Sequence, residues 1–304
     1  MKIFIILFTL LRFSNNNKSI KDSKININYK RSNLTDRQIT FNSHNKKNLI
    51  ISTLTRFKWK KILPFVKSLI KANLQNYDAI IFVKQVNDSI IKNLKSFGIN
   101  VHKITDKFEN VPIFNYRWKV YNDFLGNNRE KYKFVLSVDL KDTIIQNDIF
   151  SLYEGKENFL GFSLEDVPLK NGFSGYRIIE LFGTELFETI KNEKMINAGT
   201  VWGTENEFFR FSQILWQKLS ILPQTDDQSE FNYLYYHEKM FKNITIFRDK
   251  YGPVITIGVT KRDQINIDSD TNIIIIIFYK NIYYIFYLFI YSNFKLKIYK
   301  DPAL

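Results

Sequence analysis

The chain has 304 residues, 44 Lys and Arg against 30 Asp and Glu for a formal net charge of +14, and 45% hydrophobic residues. That hydrophobic share supports a packed core and excludes a disordered chain, while 11 Gly and 6 Pro exclude collagen-like and Pro/Gly-rich classes. With no Cys there is no disulfide, thiolate metal site or cysteine nucleophile, and the three His (His44, His102, His237) lack close zinc-type spacing.

Residues 1–13, MKIFIILFTLLRF, place Lys2 ahead of an apolar run at 3–11. This matches the charged and hydrophobic regions of a secretory signal and is too short to span a bilayer, which takes about 20 apolar residues. No small-x-small cleavage site follows, and a buried N-terminal strand or helix is the other reading of the run. Residues 14–47 are polar and rich in Asn, Lys and Ser, and read as a solvated spacer. Asn-x-Ser/Thr sequons begin at Asn17, Asn33, Asn87 and Asn243; in an Asn-rich chain such matches arise by chance and support secretion only weakly.

From residue 48 to 270 the pattern becomes that of a folded domain. The short runs LIISTL (49–54), DAIIFV (78–83), NVHKI (100–104) and KFVLSVD (133–139) are rich in Ile, Val and Phe and predict buried strands. Between the first two, WKKILPFVKSLIKAN predicts a helix that Pro64 makes start late or kink. SIIKNLKSFGI predicts a second helix stopping at Gly98, and PIFNYRWKVYNDFLG a third ending at Gly126. Strand and helix alternating in this way predict an α/β fold, a mostly parallel central sheet with helices on both faces. Further on, NFLGFSLE (158–165) predicts a strand, YRIIELF and TELFETIK helices, and INAGTVWGT (196–204) a strand. Amphipathic ENEFFRFSQILWQKLS and then DDQSEFNYLYYHEKM complete the domain, without internal repeats.

Residues 271–304 form an apolar, low-complexity tail. Its stretch 273–291 is long enough for a membrane span, although Lys280 and Asn281 near the middle oppose insertion; translated AT-rich non-coding sequence is the second reading. The charge divides accordingly. Residues 1–48 hold 10 basic and 2 acidic side chains and 271–304 hold 4 and 1, leaving 30 and 27 in the middle. A phosphate-backbone binder is expected to carry its excess on the folded domain, so the division disfavours nucleic acid as a partner.

In open α/β sheets ligands bind beyond the carboxyl ends of the strands. There VLSVDLKDTIIQ places Asp139 at a strand end and Asp142 three residues later. Two carboxylates held close supply hard oxygen ligands for Mn²⁺ or Mg²⁺, which can carry a diphosphate leaving group; an aspartate capping a following short helix is the structural alternative.

The order of four stretches, YRWKVYNDFL, DLKDTIIQ, NAGTVWG and DDQSEFNYL, resembles the GT-A fold glycosyltransferases, the nucleotide-diphospho-sugar transferase superfamily, over about 49–270. The resemblance implies a Rossmann-like GT-A fold in which Asp139 and Asp142 bind a divalent metal and, through it, the nucleotide diphosphate. It implies that Arg117 lies near the donor phosphates or orients the acidic turn, that Thr53, Thr55 and Arg56 border the nucleotide, and that Asn197 and Gly199 shape the sugar or acceptor pocket. Asp227 and Gln228 would contact the transferred sugar or acceptor hydroxyl, with Asp227 a base if the reaction inverts. Arg117 could equally pair with a surface acid, Asn197 satisfy a strand edge, and Asp227 serve as an N-cap. Lys141 stands where a strict D-x-D has its second Asp, and no His follows His237 to supply the C-terminal metal ligand of some related families.

The expected function is therefore transfer of a sugar from a nucleotide-sugar donor to a hydroxyl of a glycan, protein or lipid, in the lumen of the secretory pathway or at the cell surface. The expected partners are that donor and acceptor, with membrane association through 273–291. A catalytically inactive secreted or surface protein on the same fold is the first alternative, and a basic nucleic-acid-binding protein the second.

Overall fold

A computed structural model describes residues 46–105, 111–221, 224–241, 244–248 and 254–256, all within the compact unit Ser43–Leu304. The signal-like segment 1–13, nearly all of the spacer, the tail 271–304 and the sequons at Asn17, Asn33 and Asn243 lie outside the described residues. Asn87 lies within them, exposed at the start of a helix.

The first half follows the predicted alternation: β1 Lys47–Thr55, α1 Trp59–Lys71, β2 Tyr77–Lys84, α2 Asp88–Ser96, β3 Asn100–Lys103, α3 Ile113–Gly126 and β4 Tyr132–Val138. Pro64 sits inside α1 and delays its start in no way. There follow β5 Thr143–Ile145, β6 Leu160–Pro168, α4 Phe173–Phe182, α5 Thr184–Ile190, β7 Lys194–Thr204, α6 Glu205–Ile221, α7 Asp227–Tyr236, β8 Ile244–Arg248 and β9 Val254–Thr256.

Seven strands form one open sheet in the order β3-β2-β1-β4-β7-β6-β8, and β5 pairs with β9 in a separate two-stranded sheet. β1 to β4 are parallel, β6 and β8 are parallel to each other, and β7 runs antiparallel to both its neighbours. The sheet is thus mixed and mostly parallel. Its two faces are read directly from strand alternation. Ile50 and Leu54 of β1 pack with Ile62 and Phe65 of α1 and with Ile91 and Leu94 of α2. Leu49 and Ile51 turn the other way, onto Trp118, Tyr121 and Leu125 of α3, Phe208 and Phe211 of α6 and Phe231 of α7. Both faces being covered, the central strands are apolar almost throughout. The edge strand β3 instead exposes Asn100, His102 and Lys103, which discourages pairing with another chain.

The chain runs from β1 outward to β3 with α1 and α2 on one face, then crosses on the opposite face through α3 to place β4 on the other side of β1. The strand order therefore reverses between β1 and β4, and in open α/β sheets ligands bind beyond the carboxyl ends of the strands at such a switch point.

Candidate active site

Asp139 follows the last residue of β4 and emerges at that switch point. Its carbonyl accepts from the backbone N–H groups of Asp142 (3.2 Å) and Thr143 (3.1 Å), closing a tight turn that leads into β5. No helix starts there, so Asp139 is not the helix cap that its sequence context allowed. β5 is pinned in turn by β9, with Thr143 opposite Thr256 and Ile145 opposite Val254.

Behind the turn lies Arg117, 4% exposed on α3. Its Nη1 donates to Asp139 Oδ1 (2.5 Å), its Nε and Nη2 to Asp227 Oδ2 (2.9 and 2.5 Å), and Nη2 also to the carbonyl of Ala198 (3.0 Å). Trp118 Nε1 is the third donor to Asp227 Oδ2, at 2.9 Å. Burial works to lower the pKa of the Arg117 guanidinium; the Asp227 and Asp139 carboxylates outweigh it and raise it. The buried cation is thus permanent. Burial raises the pKa of Asp227, and the Arg117 charge together with the hydrogen bonds from Trp118 and Arg117 works to lower it. The N-cap of α7 is Asp226, whose side chain accepts from Ser229 N–H (2.9 Å); Asp227 is the next residue and turns inward.

β7 supplies the opposite wall. Its register against β6 jumps from Phe162 opposite Val201 to Ser163 opposite Asn197, so Ala198, Gly199 and Thr200 bulge from that ladder. Pairing with β4 ends at Val138 opposite Thr200. The freed backbone groups are met by side chains: Gly199 N–H donates to Asn197 Oδ1 (2.7 Å), and Ala198 N–H to Gln228 Oε1 (3.4 Å). A Cβ at Gly199 would stand 2.5 Å from Asp139 Oδ2 and 2.8 Å from Asn197 Oδ1, so only glycine lets the bulge approach the acidic turn this closely.

Six residues named from the sequence thus converge: Arg117, Asp139, Asn197, Gly199, Asp227 and Gln228. Asp142 shares the turn, with burial raising its pKa, Lys141 lowering it and Asp139 raising it. Thr53 and Ser137 lie beside the buried Tyr121 hydroxyl; burial pushes Tyr121 up to about 12, with the Arg117 charge and the Ser137 and Thr53 hydroxyls working to lower it. Thr55 pairs with Lys84 on β2, and Arg56 donates from Nε to Gln85 Oε1 (2.7 Å) at the end of β2.

Asp139 is 47% exposed and Asp142 34%, so both carboxylates reach solvent at that end of the sheet. Among the described residues no group of three or more His, Asp or Glu could hold a metal ion. Two carboxylates on one turn nonetheless fit a hard cation whose remaining ligands are phosphate oxygens and water, the usual arrangement for Mg²⁺.

No family model matches the sequence, and no curated protein matches it. Among solved structures the chain is similar to the glycosyltransferase GlyE of Streptococcus pneumoniae TIGR4. The identity is 16% and the TM-score 0.44, over 68% of this chain and 47% of that one, so the match spans about half the length of that structure.

Two contributors escaped the sequence reading. Asn232 on α7 donates to Ile196 O (3.0 Å) and accepts from Ile196 N–H (2.8 Å), fastening α7 to β7 as a strand would. Glu165 on β6, 2% exposed, accepts at Oε1 from both Asn197 Nδ2 (3.0 Å) and Gln228 Nε2 (3.2 Å). The only sequence signal for Glu165 was its place at the end of the predicted strand 158–165.

Proposed function

We propose that this chain is a GT-A-like glycosyltransferase that moves a sugar from a nucleotide-sugar donor to a hydroxyl acceptor. One observation carries the reading: an acidic turn, Asp139 and Asp142, stands at the carboxyl end of a central parallel strand, at the topological switch point, and is braced from below by a buried arginine. The order of the four sequence stretches supports the same conclusion. Asp139 and Asp142 would hold a divalent cation, which when bound neutralises the departing nucleoside diphosphate. Arg117, with its donors committed to Asp139, Asp227 and the Ala198 carbonyl, orients the acidic turn. Gly199 gives the ligand a wall of bare backbone, and the amides of Asn197 and Gln228 hold that wall in place.

A second reading, a non-catalytic protein on the same fold, is favoured by the cations already beside both carboxylates. Arg117 pairs with Asp139, and Lys141 Nζ lies 3.9 Å from Asp142. Thermal shift with UDP, GDP and CDP in the presence and absence of Mn²⁺ separates the two readings. For the transferase, Asp142→Asn is expected to abolish the metal-dependent shift and leave the ligand-free melting temperature unchanged or raised, because repulsion from Asp139 is relieved. Asp139→Asn is expected to abolish the shift and lower the ligand-free value, since Arg117 loses an ionised partner. Wild-type protein with no metal-dependent shift for any nucleotide selects the non-catalytic reading.

A further inference from the structure

Among the described residues no cation pairs with the Glu165 carboxyl. It is almost wholly buried, Oε2 has no hydrogen-bond partner among the described residues, and Oε1 takes both of its donors from side-chain amides. A buried carboxyl in an active-site wall is costly unless it does something an apolar residue cannot. Here each amide has two ends. Glu165 occupies the Nδ2 of Asn197 and the Nε2 of Gln228, which leaves Asn197 Oδ1 facing the Gly199 N–H and Gln228 Oε1 facing the Ala198 N–H. These are the bulged residues that β6 does not pair. Either amide, turned over, would present N–H to N–H and leave the bulge unsatisfied.

We propose that Glu165 is a positioning residue: it fixes the orientation of Asn197 and Gln228, and through them the Ala198–Gly199 bulge against which Arg117 and Asp139 close. Its link to ligand binding rests on the transferase reading; its effect on the bulge does not. Burial pushes the Glu165 carboxyl up to about 7, with Asn197 and Gln228 lowering it, so a neutral group of the same shape can serve. Glutamine offers the same acceptor oxygen and is the conservative variant; alanine removes the acceptor from both amides.

Amide hydrogen exchange read residue by residue tests this on the full chain without ligand. Glu165→Ala is expected to weaken protection at Ala198 and Gly199 by about tenfold or more relative to the β2 amides of Ile80 and Ile81. Glu165→Gln is expected to stay within about twofold of wild type at the same amides. Glu165→Asp keeps the carboxyl but withdraws it by one methylene; it is expected to show the same local loss and serves if the alanine variant does not fold. Unchanged protection at Ala198 and Gly199, or a loss no larger than at Ile80 and Ile81, overturns the proposal. Titration of wild type and Glu165→Gln with UDP, GDP and CDP plus Mn²⁺ keeps the two readings apart. A local exchange loss without any nucleotide binding retains the positioning role and removes the transferase, whereas nucleotide binding without the exchange loss does the reverse.

Discussion

Glu165 and Glu230 are carboxyls that burial pushes up to about 7 from an ordinary 4.5, each with Oε2 unpaired among the described residues. At Glu230, Lys218 works against burial while Glu238 and Asp226 add to it. A carboxyl whose folded pKa lies above its unfolded value contributes stability that is complete below the unfolded pKa and is lost as pH rises through the folded one. Between pH 4.5 and 7 each group therefore costs the fold progressively more, up to about 3 kcal/mol. Glu165→Gln and Glu230→Gln are expected to match wild type in melting temperature near pH 4.5 and to exceed it by several degrees at pH 8. Melting curves that differ from wild type equally at both pH values would contradict this account.

Among the elements, the bulge of β7 decides the shape of the site, and Gly199 decides the bulge. Gly199→Ala forces a Cβ onto Asp139 Oδ2 and Asn197 Oδ1, and is expected to cost about 1–3 kcal/mol and to remove any metal-dependent nucleotide shift. Gly126→Ala is the control, because a Cβ there meets only Phe209 Cε2 at 3.6 Å. A Gly199→Ala protein that melts and binds as wild type would remove the bulge from the site. The elements that announced themselves in the sequence are those whose local signals agree with their burial. β1, β2 and β4 are apolar runs buried on both faces, and α2 stops before Gly98, whose φ of 76° favours glycine. β5 and β9 have three residues each, too few for any period to show, and are held by each other across the chain. Glu165 stood in the sequence only as the last residue of a predicted strand; its partners, Asn197 on β7 and Gln228 on α7, are 32 and 63 residues away, and no local pattern joins them to it. The Asp226–Asp227 pair was legible as the start of a helix, but which aspartate caps and which turns inward depends on where Arg117 stands, on a helix 110 residues earlier.

At the scale of the whole molecule, two apolar clusters sandwich the sheet, and a third, formed by Leu169, Ile178, Phe187, Ile190 and Met195, seats α4 and α5. Glu205, at the first turn of α6, accepts from the backbone N–H groups of Glu130 (2.8 Å) and Tyr132 (2.9 Å), joining the later half of the chain to the root of β4. The Arg117–Asp227 pair joins the halves again at the opposite end of that strand, across 110 residues of sequence. During synthesis that distance is also a time. At about 5–20 residues per second, Arg117 leaves the ribosome roughly 5–20 s before its carboxylate exists, with Asp139 alone to answer its charge. Burying that cation without Asp227 leaves it short of a partner, so α3 is expected to dock only when α7 arrives. Nascent chains arrested with residues only to about 220 exposed are expected to be cut by protease within α3, and chains exposed to about 260 to be protected there; equal protection in both would show that the helix docks without waiting. Protection that appears only at the greater length would make the earlier half of the fold a receptor held open for a late-made segment, and a ribosome that slows between the two would lengthen the interval in which the protein is most exposed to misassembly.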